Sequence, residues 1–284
     1  MYADLHAHTT ASDGSATPTE LVRQAAALGL SLLAVTDHDT TGGVAEAMRA
    51  AREAGVRLLP GVELSAEGPP GKCHLLGLGI DPGHAGLNAK LEQLSAARRA
   101  RAARIVERFQ ALGVDLTLED VDAATPDGAN VGRPHLAKAL LQKGAVATMQ
   151  EAFDRYLADG GPAYVPKMVL PPAEAIALIH DAGGLAFLAH PGLLKLDAGE
   201  TPRDRLLALR NLGLDGVEAY YSQHTLPQTD RYLDLARDLG LLVTGGSDFH
   251  GANKPGVPLG VVTNGHGVPL DALPAILRDW SAGG

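Results

Sequence analysis

Residues 17–39, TPTELVRQAAALGLSLLAVTDHD, read as a helix that feeds a strand. Thr17 is placed to cap the helix, Pro18 takes the first helical position, and Glu20 completes a capping box three residues after the cap. Gly29 is the stop. The run 32–36 then reads as a buried strand that ends on Asp37 and His38. The pattern recurs. Strand-like runs fall at 2–5, 57–64, 73–79, 185–189, 216–220, 241–246 and 259–263, and helix-like stretches rich in Ala, Leu, Arg and Glu separate most of them. One helix is expected from about residue 172 to 181, stopped by Gly183-Gly184. Repeated strand–helix units predict an α/β fold with a parallel sheet. Seven or eight units in 284 residues suit a closed barrel.

Between 87 and 166 the alternation breaks, and the chain reads as helical throughout: 89–112, 118–123, 134–143 and 148–158. The expected organisation is a catalytic barrel from 1–86 and 167–284, with an α-helical insert at 87–166 that binds substrate. Composition excludes several alternatives. The chain is 45% hydrophobic and 20% charged, a globular balance, and its 34 glycines and 18 prolines stay below the level of low-complexity chains. No apolar run reaches the roughly 18 residues of a membrane span. The start, MYADLHAHTT, lacks the basic and apolar regions of a signal peptide. The single cysteine, Cys73, permits no intramolecular disulfide and fits a reducing compartment, so a cytoplasmic location is expected. A net charge of −9 argues against a surface that coats nucleic acid, while leaving room for a local basic cleft. No obligate protein partner is evident.

Eleven histidines against four Phe and one Trp point to work other than packing. They cluster where strands end: His6 and His8, Asp37 and His38, Glu63, His74, His190, Glu218, then Asp248 and His250. In a parallel barrel all C-terminal strand ends lie on one face, so these side chains converge. His, Asp and Glu together form a ligand set for transition metals. In His6-Ala7-His8 the two imidazoles share a face while Ala7 points away. If His74 faces inward, Cys73 faces the outer helices and packs instead of ligating.

These motifs resemble the PHP (polymerase and histidinol phosphatase) family of metal-dependent phosphoesterases. The matching segments are Asp4-Leu5-His6-Ala7-His8-Thr9 with Ser12-Asp13-Gly14, Thr36-Asp37-His38-Asp39, Pro60-Gly61-Val62-Glu63, His74 in CHLLGLG, Ala189-His190-Pro191, and Gly246-Ser247-Asp248-Phe249-His250. The resemblance implies a distorted (β/α)7 barrel with three divalent metal ions. Carried over, one ion takes His6, His8, Glu63 and Asp248; a second takes Glu63, His74 and His190; a third takes Asp13, His38 and His250. Many family members have histidine where this chain has Asp13, and the harder oxygen ligand favours manganese, iron or magnesium there; manganese is the first expectation, with zinc also in the set. Asn130-Val131-Gly132-Arg133-Pro134-His135 and Tyr164-Val165-Pro166 place the likeness within the subgroup that contains 3′,5′-nucleoside bisphosphate phosphatases and 5′-to-3′ exoribonucleases acting on short RNA.

The expected substrate is therefore a nucleotide or a short RNA 5′ end. Ester hydrolysis needs a nucleophile at neutral pH and charge stabilisation on the phosphate, both of which divalent ions supply. Asp37 or His250 is the expected proton carrier or orienting group, and Asp248 binds metal. Arg133 and His135 are the expected phosphate binders of the insert. The run Arg98, Arg99, Arg101, Arg104, Arg108 gives one helix a basic face, from which Arg101 and Arg104 are expected to reach phosphate. His224, after the sixth strand, lies on the functional face as a substrate or supporting group.

Three other readings compete. A histidinol-phosphate-type phosphatase would act on a smaller monophosphate, against which the arginine-bearing insert argues. A metal-dependent amidohydrolase also begins with HxH, but often bridges its metals through a carboxylated lysine, and no lysine here falls on an interior strand position. A non-catalytic module of a DNA polymerase can lose ligands, whereas every ligand position marked by the resemblance is filled.

Overall fold

The computed structural model describes residues 1–263 and 265–280; the end of the segment expected to complete the barrel, 281–284, lies outside them. Among the described residues the strands are β1 (Tyr2–Asp4), β2 (Leu30–Val35), β3 (Arg57–Ala66), β4 (Cys73–Leu78), β5 (Leu185–Leu188), β6 (Gly216–Tyr221), β7 (Leu242–Gly246) and β8 (Val268–Pro269), arranged β7-β6-β5-β4-β3-β2-β1-β8. The seam between β1 and β7 closes just beyond their ends. Leu5 N–H donates to Gly245 O (3.1 Å), Asp248 N–H donates to His6 O (2.8 Å), and Ala7 bridges Phe249. The sheet is thus a nearly closed barrel, filled by Leu5, Leu32, Leu59, Leu76 and Phe187.

The helices are α1 (Pro18–Ala27), α2 (Val44–Ala54), α3 (Ala85–Ala111), α4 (Leu118–Ala124), α5 (Arg133–Gln142), α6 (Met149–Ala152, continued by a π turn over Phe153–Leu157), α7 (Pro172–Asp181), α8 (Pro202–Asn211), α9 (Leu226–Leu239) and α10 (Ala275–Arg278). The start of α1 is the capping box read from the sequence: Thr17 N–H donates to Glu20 Oε2 (2.8 Å), and Glu20 N–H donates to Thr17 Oγ1 (3.2 Å).

Two expectations fail. The sheet is not wholly parallel, because β4 runs antiparallel to both β3 and β5. A hairpin returns the chain directly, pairing Ser65 with His74. His74 therefore stands at the start of its strand, and the reversal delivers it to the same barrel face as the C-terminal ends of the parallel strands. Residues 259–263 form no strand. Gly260 takes a left-handed φ of 71° and its N–H donates to the Asp4 carboxylate (2.8 Å) instead of to a neighbouring strand. The eighth strand lies later, at Val268–Pro269, antiparallel to β1.

The insert has its own apolar cluster, which includes Ile105, Phe109, Val121, Leu136, Leu140 and Leu157. Its first helix does not begin there. Leu87, Leu91 and Leu94 of α3 pack into the barrel's outer core, and only from Ala102 onward does the same helix join the insert's cluster.

Gly246 shows how tightly the seam is drawn, since a Cβ there would lie 2.4 Å from both the backbone nitrogen and the Cβ of His6. Backbone cannot retreat as a flexible side chain can. Gly246→Ala is expected to lower the unfolding free energy by about 3 kcal/mol, the upper end of the usual overpacking range. Urea titration followed by circular dichroism measures it, and an unchanged midpoint would show that the seam can yield.

Candidate metal centre

His6 and His8 leave β1 on an extended segment with Ala7 buried between them. The loop that follows is folded back by Asp37, whose carboxylate accepts Thr9 N–H (2.8 Å), Thr9 Oγ1–H (2.7 Å) and Ser12 Oγ–H (2.7 Å). Gly14 completes the fold: a Cβ there would lie 2.4 Å from His8 O. This brings Asp13 against His250, Oδ1 to Nε2 at 3.3 Å.

Glu63, on β3, is the centre. Its Oε1 lies 2.8 Å from His74 Nδ1 and 3.1 Å from His190 Nε2, and its Oε2 lies 3.0–3.3 Å from His38 Nδ1, His8 Nε2 and His6 Nε2. Asp248 Oδ1 stands 3.5 Å from His6 Nε2 and 3.3 Å from His8 Nε2. Three groups have ligand atoms mutually within 4.8 Å: His6, His8, Glu63 and Asp248; His38, Glu63 and His74; His8, Asp13, His38 and His250. All nine residues expected as ligands are therefore drawn into one cluster, with His190 joined through Glu63.

The cluster's electrostatics fit bound cations. Buried atoms without hydrogen bonds include His6 Nε2, both ring nitrogens of His8, His38 Nδ1, His190 Nδ1 and Glu63 Oε2. Each such group costs about 1–3 kcal/mol when nothing satisfies it. Burial takes the His38 imidazole down to about 3, leaving it neutral as a ligand must be. Burial also opposes charge on Glu63, but the imidazoles of His38, His74 and His6 and the bond from His190 outweigh it and hold the carboxyl well below its ordinary range. His8 is likewise opposed by burial, yet Asp248 and Glu63 draw its imidazole up to about 10. Carboxylates that pull protons onto neighbouring imidazoles offer the same field to a divalent cation. The mixed nitrogen and oxygen donor set suits manganese, iron or zinc.

Beside the cluster a cleft of about 410 Å³ runs between barrel and insert, reaching from Asp13, His38 and His74 to Lys72, Arg98, Arg101, Arg133, Tyr164 and Lys167. The guanidinium carbons of Arg101 and Arg133 each lie 6.0 Å from the centre of the Tyr164 ring. Arg101 Nε donates to Val165 O (2.7 Å), and burial together with positive Arg133 and Arg98 lowers its pKa to about 10.

Four expected site residues have other surroundings. Asp37 lies outside the ligand groups and braces the loop before α1 through Thr9 and Ser12. Arg104 is on the exposed side of α3, because Arg98 and Arg101 occupy the face toward the cleft. His135 is buried at the start of α5, where its Nδ1 accepts Gly132 N–H (3.0 Å). His224 is buried behind the cluster; its Nδ1 donates to Ala219 O (3.0 Å) and its Nε2 accepts Gly192 N–H (3.1 Å).

Other residues became visible only in three dimensions. Tyr221 Oη–H donates to Asp248 Oδ2 (2.9 Å), which Lys254 also approaches. Asp39, fully buried, accepts from Arg98 Nε (3.1 Å) and pairs with Lys167 (2.9 Å). Asn130 Nδ2–H reaches His38 O (3.1 Å) and Asp39 O (2.8 Å). Barrel and insert thus meet on the loop that carries His38. The basic run had hinted at Arg98, whereas Lys167 is distant in sequence from everything it touches.

Comparison with known proteins agrees with this geometry. The PHP domain model matches residues 4–158. The chain belongs to the PHP family. It is 37% identical over 90% of each chain to the 3′,5′-nucleoside bisphosphate phosphatase of Chromobacterium violaceum. It is 36% identical to the 5′-3′ exoribonuclease of Haemophilus influenzae, over 98% of this PHP chain and 97% of that one. A solved structure of a candidate metal-dependent phosphoesterase from Bifidobacterium adolescentis superposes with a TM-score of 0.84 at 36% identity, over 95% of this chain and 93% of the other.

Asp39 supplies a pH test. Burial raises its carboxyl, but Lys167 and Arg98 more than reverse this and set it well below 3.8. A depressed folded pKa contributes stability above the unfolded pKa, lost as pH falls through the folded value. Asp39→Asn, which leaves two buried cations without their partner, is expected to cost about 3–5 kcal/mol at pH 7. That gap should narrow as pH drops below about 4, and a gap constant with pH in denaturant titrations would refute the ion-pair account.

Proposed function

We propose that this chain hydrolyses phosphate esters of nucleotides that carry a second phosphate, either the 3′-phosphate of a nucleoside 3′,5′-bisphosphate or the 5′ end of a short RNA. It is a phosphoester hydrolase of the PHP family. The observation that carries the substrate reading is one cleft that runs from the donor cluster, at His38 and His74, to Arg101 and to Arg133, which also pairs with Asp159 (2.7 Å). A phosphate on the cluster reacts, and the arginines hold the one that does not.

Up to three divalent ions fit the donor groups, manganese first. They supply an activated water and neutralise charge on the phosphate oxygens. His6, His8, Glu63 and Asp248 would hold one; Asp13, His38 and His250, with His8, would hold another; Glu63, His74 and His190, with His38, would hold the third. Lys254 and Tyr221 fix the oxygen of Asp248 that faces away from His6 and His8. Asp37, through Thr9 and Ser12, sets the loop that presents Asp13. Residues 1–86 and 167–284 form the catalytic unit, and 87–166 supplies the arginines of the cleft wall, beside Lys72 and Lys167 of the barrel. Cys73, buried with its thiol pushed up to about 12 by desolvation, suits a reducing cytoplasm. Among the described residues no helix is long and apolar enough to cross a membrane.

The deciding experiment is turnover, with added Mn(II), of adenosine 3′,5′-bisphosphate, AMP, histidinol phosphate and a 5′-phosphorylated oligoribonucleotide. The bisphosphate or the RNA should lead; preference for histidinol phosphate would reject the substrate class. Glu63→Ala removes the carboxylate common to the cluster and should cut turnover of every substrate by roughly 100- to 1,000-fold. Near-normal turnover in that variant would reject the cluster as the reacting site.

Arg133→Ala should act selectively. Loss of one charge-assisted contact to the distal phosphate is worth about 2–3 kcal/mol in kcat/KM on the bisphosphate. On p-nitrophenyl phosphate, which has no distal phosphate, the change should be small. Equal losses on both would move Arg133 to the reacting phosphate or to the fold.

A further inference from the structure

Glu218 has no place in the three donor groups, yet it is fully buried on β6 with both oxygens committed. Its Oε1 lies 2.9 Å from His6 Nδ1, and its Oε2 accepts His190 N–H at 2.6 Å. With Glu218 as the acceptor in this contact, the proton of His6 belongs on Nδ1. The lone pair of His6 Nε2 is then turned toward Glu63 and Asp248, 3.3 and 3.5 Å away. The second contact acts on backbone. His190 takes a left-handed φ of 30°, rare for a residue other than glycine, and this turn points its Nε2 at Glu63. Behind the same turn, Gly192 N–H donates to His224 Nε2, and the His224 ring stacks on Tyr232 with centroids 5.1 Å apart. His224 thus supports the His190 turn and packs edge-on against Tyr221 (5.2 Å), while Glu218 touches both His190 and His6.

We propose that Glu218 is a positioning residue for two ligands at once: it selects the ring nitrogen that His6 presents for metal and anchors the left-handed turn that presents His190. This rests on the metal-dependent reading above. A ligating histidine needs such an outer acceptor to fix its tautomer, and loss of one commonly lowers metal affinity about 10- to 100-fold.

The chemistry of the glutamine substitution makes the test specific. Glutamine has the size of glutamate but offers one oxygen and one NH₂. The backbone N–H of His190 cannot change its role, so the oxygen must turn to it. The NH₂ then faces His6 and demands an acceptor at Nδ1, which moves the imidazole proton to Nε2, where metal would bind. Aspartate keeps two acceptors at shorter reach.

The experiment is calorimetric titration of the metal-free full chain with Mn(II), for the native protein, Glu218→Gln, Glu218→Asp and His224→Gln. Native protein should bind Mn(II). Glu218→Gln should weaken one ion about 10- to 100-fold, with Glu218→Asp closer to native, and His224→Gln, which leaves the contact of Glu218 with His6 in place, should weaken binding less than Glu218→Gln. A purely structural role predicts the reverse order, the isosteric glutamine milder than aspartate, and that result overturns the proposal, as does unchanged affinity in Glu218→Gln. If native protein takes up no Mn(II), the metal reading itself falls, an outcome distinct from a failure at Glu218. Independently of how any variant folds, the histidine ¹⁵N spectrum of the native protein loaded with Zn(II) should show His6 protonated at Nδ1; the opposite tautomer overturns the assignment.

Discussion

Five imidazoles converge on the one buried carboxylate of Glu63, and most of the barrel's upper face exists to make that convergence affordable. Left alone, such a carboxylate would be neutralised by burial. Here the surrounding histidines keep it charged, and their own free nitrogens remain unsatisfied unless a cation enters. Five parts of the chain have to arrive together: the segment after β1, the loop after β2, β3 itself, the start of β4 and the turn after β5. The close approach of Gly246 to His6 adds the segment after β7. Strand pairing sets the positions of these elements to within fractions of an ångström, which is why a barrel suits the task better than a set of loops.

The sequence was most informative where chemistry and periodicity coincided. The HxH after β1, the Asp-His at the end of β2 and the Gly-Ser-Asp-Phe-His after β7 are polar groups at the ends of apolar runs, and a barrel forces such ends together. Strand direction was not legible, since an apolar run reads alike in either sense; the reversal of β4 became visible only through its pairing. The polar character of His135 and His224 was legible but their direction was not. His224 spends both ring nitrogens on backbone behind the turn that carries His190, and His135 spends its Nδ1 on backbone at a helix start. Glu218 and the Asp39–Arg98–Lys167 group show the opposite limitation. Glu218 and Arg98 were legible as a strand-end carboxylate and a member of a basic run, but their partners lie far away in the chain and no local pattern names those.

The insert is joined to the barrel by polar contacts at the loop that presents His38. Asn130 holds the backbone of His38 and Asp39, while Arg98 and Lys167 share the Asp39 carboxylate. Two cations on one carboxylate leave a surplus of positive charge in the cleft wall. An acidic protein thereby keeps an anion-attracting surface at its reacting face, and long-range repulsion of polyanions elsewhere on the molecule favours approach along that face.

The continuity of α3 carries a consequence for how this architecture can vary. Leu87, Leu91 and Leu94 lock the helix to the barrel, so the azimuth of everything after them is fixed by helical phase. Adding one residue between Leu94 and Arg98 would swing Arg98 and Arg101 through about 100° and carry both guanidiniums out of the cleft. The same addition in the turn after Phe109 would leave them where they are. Before Arg98 a change of length moves Arg98 and Arg101 together; beyond Phe109 a change of length leaves these two in place and falls instead on the segment that brings Arg133 and Tyr164 to the cleft.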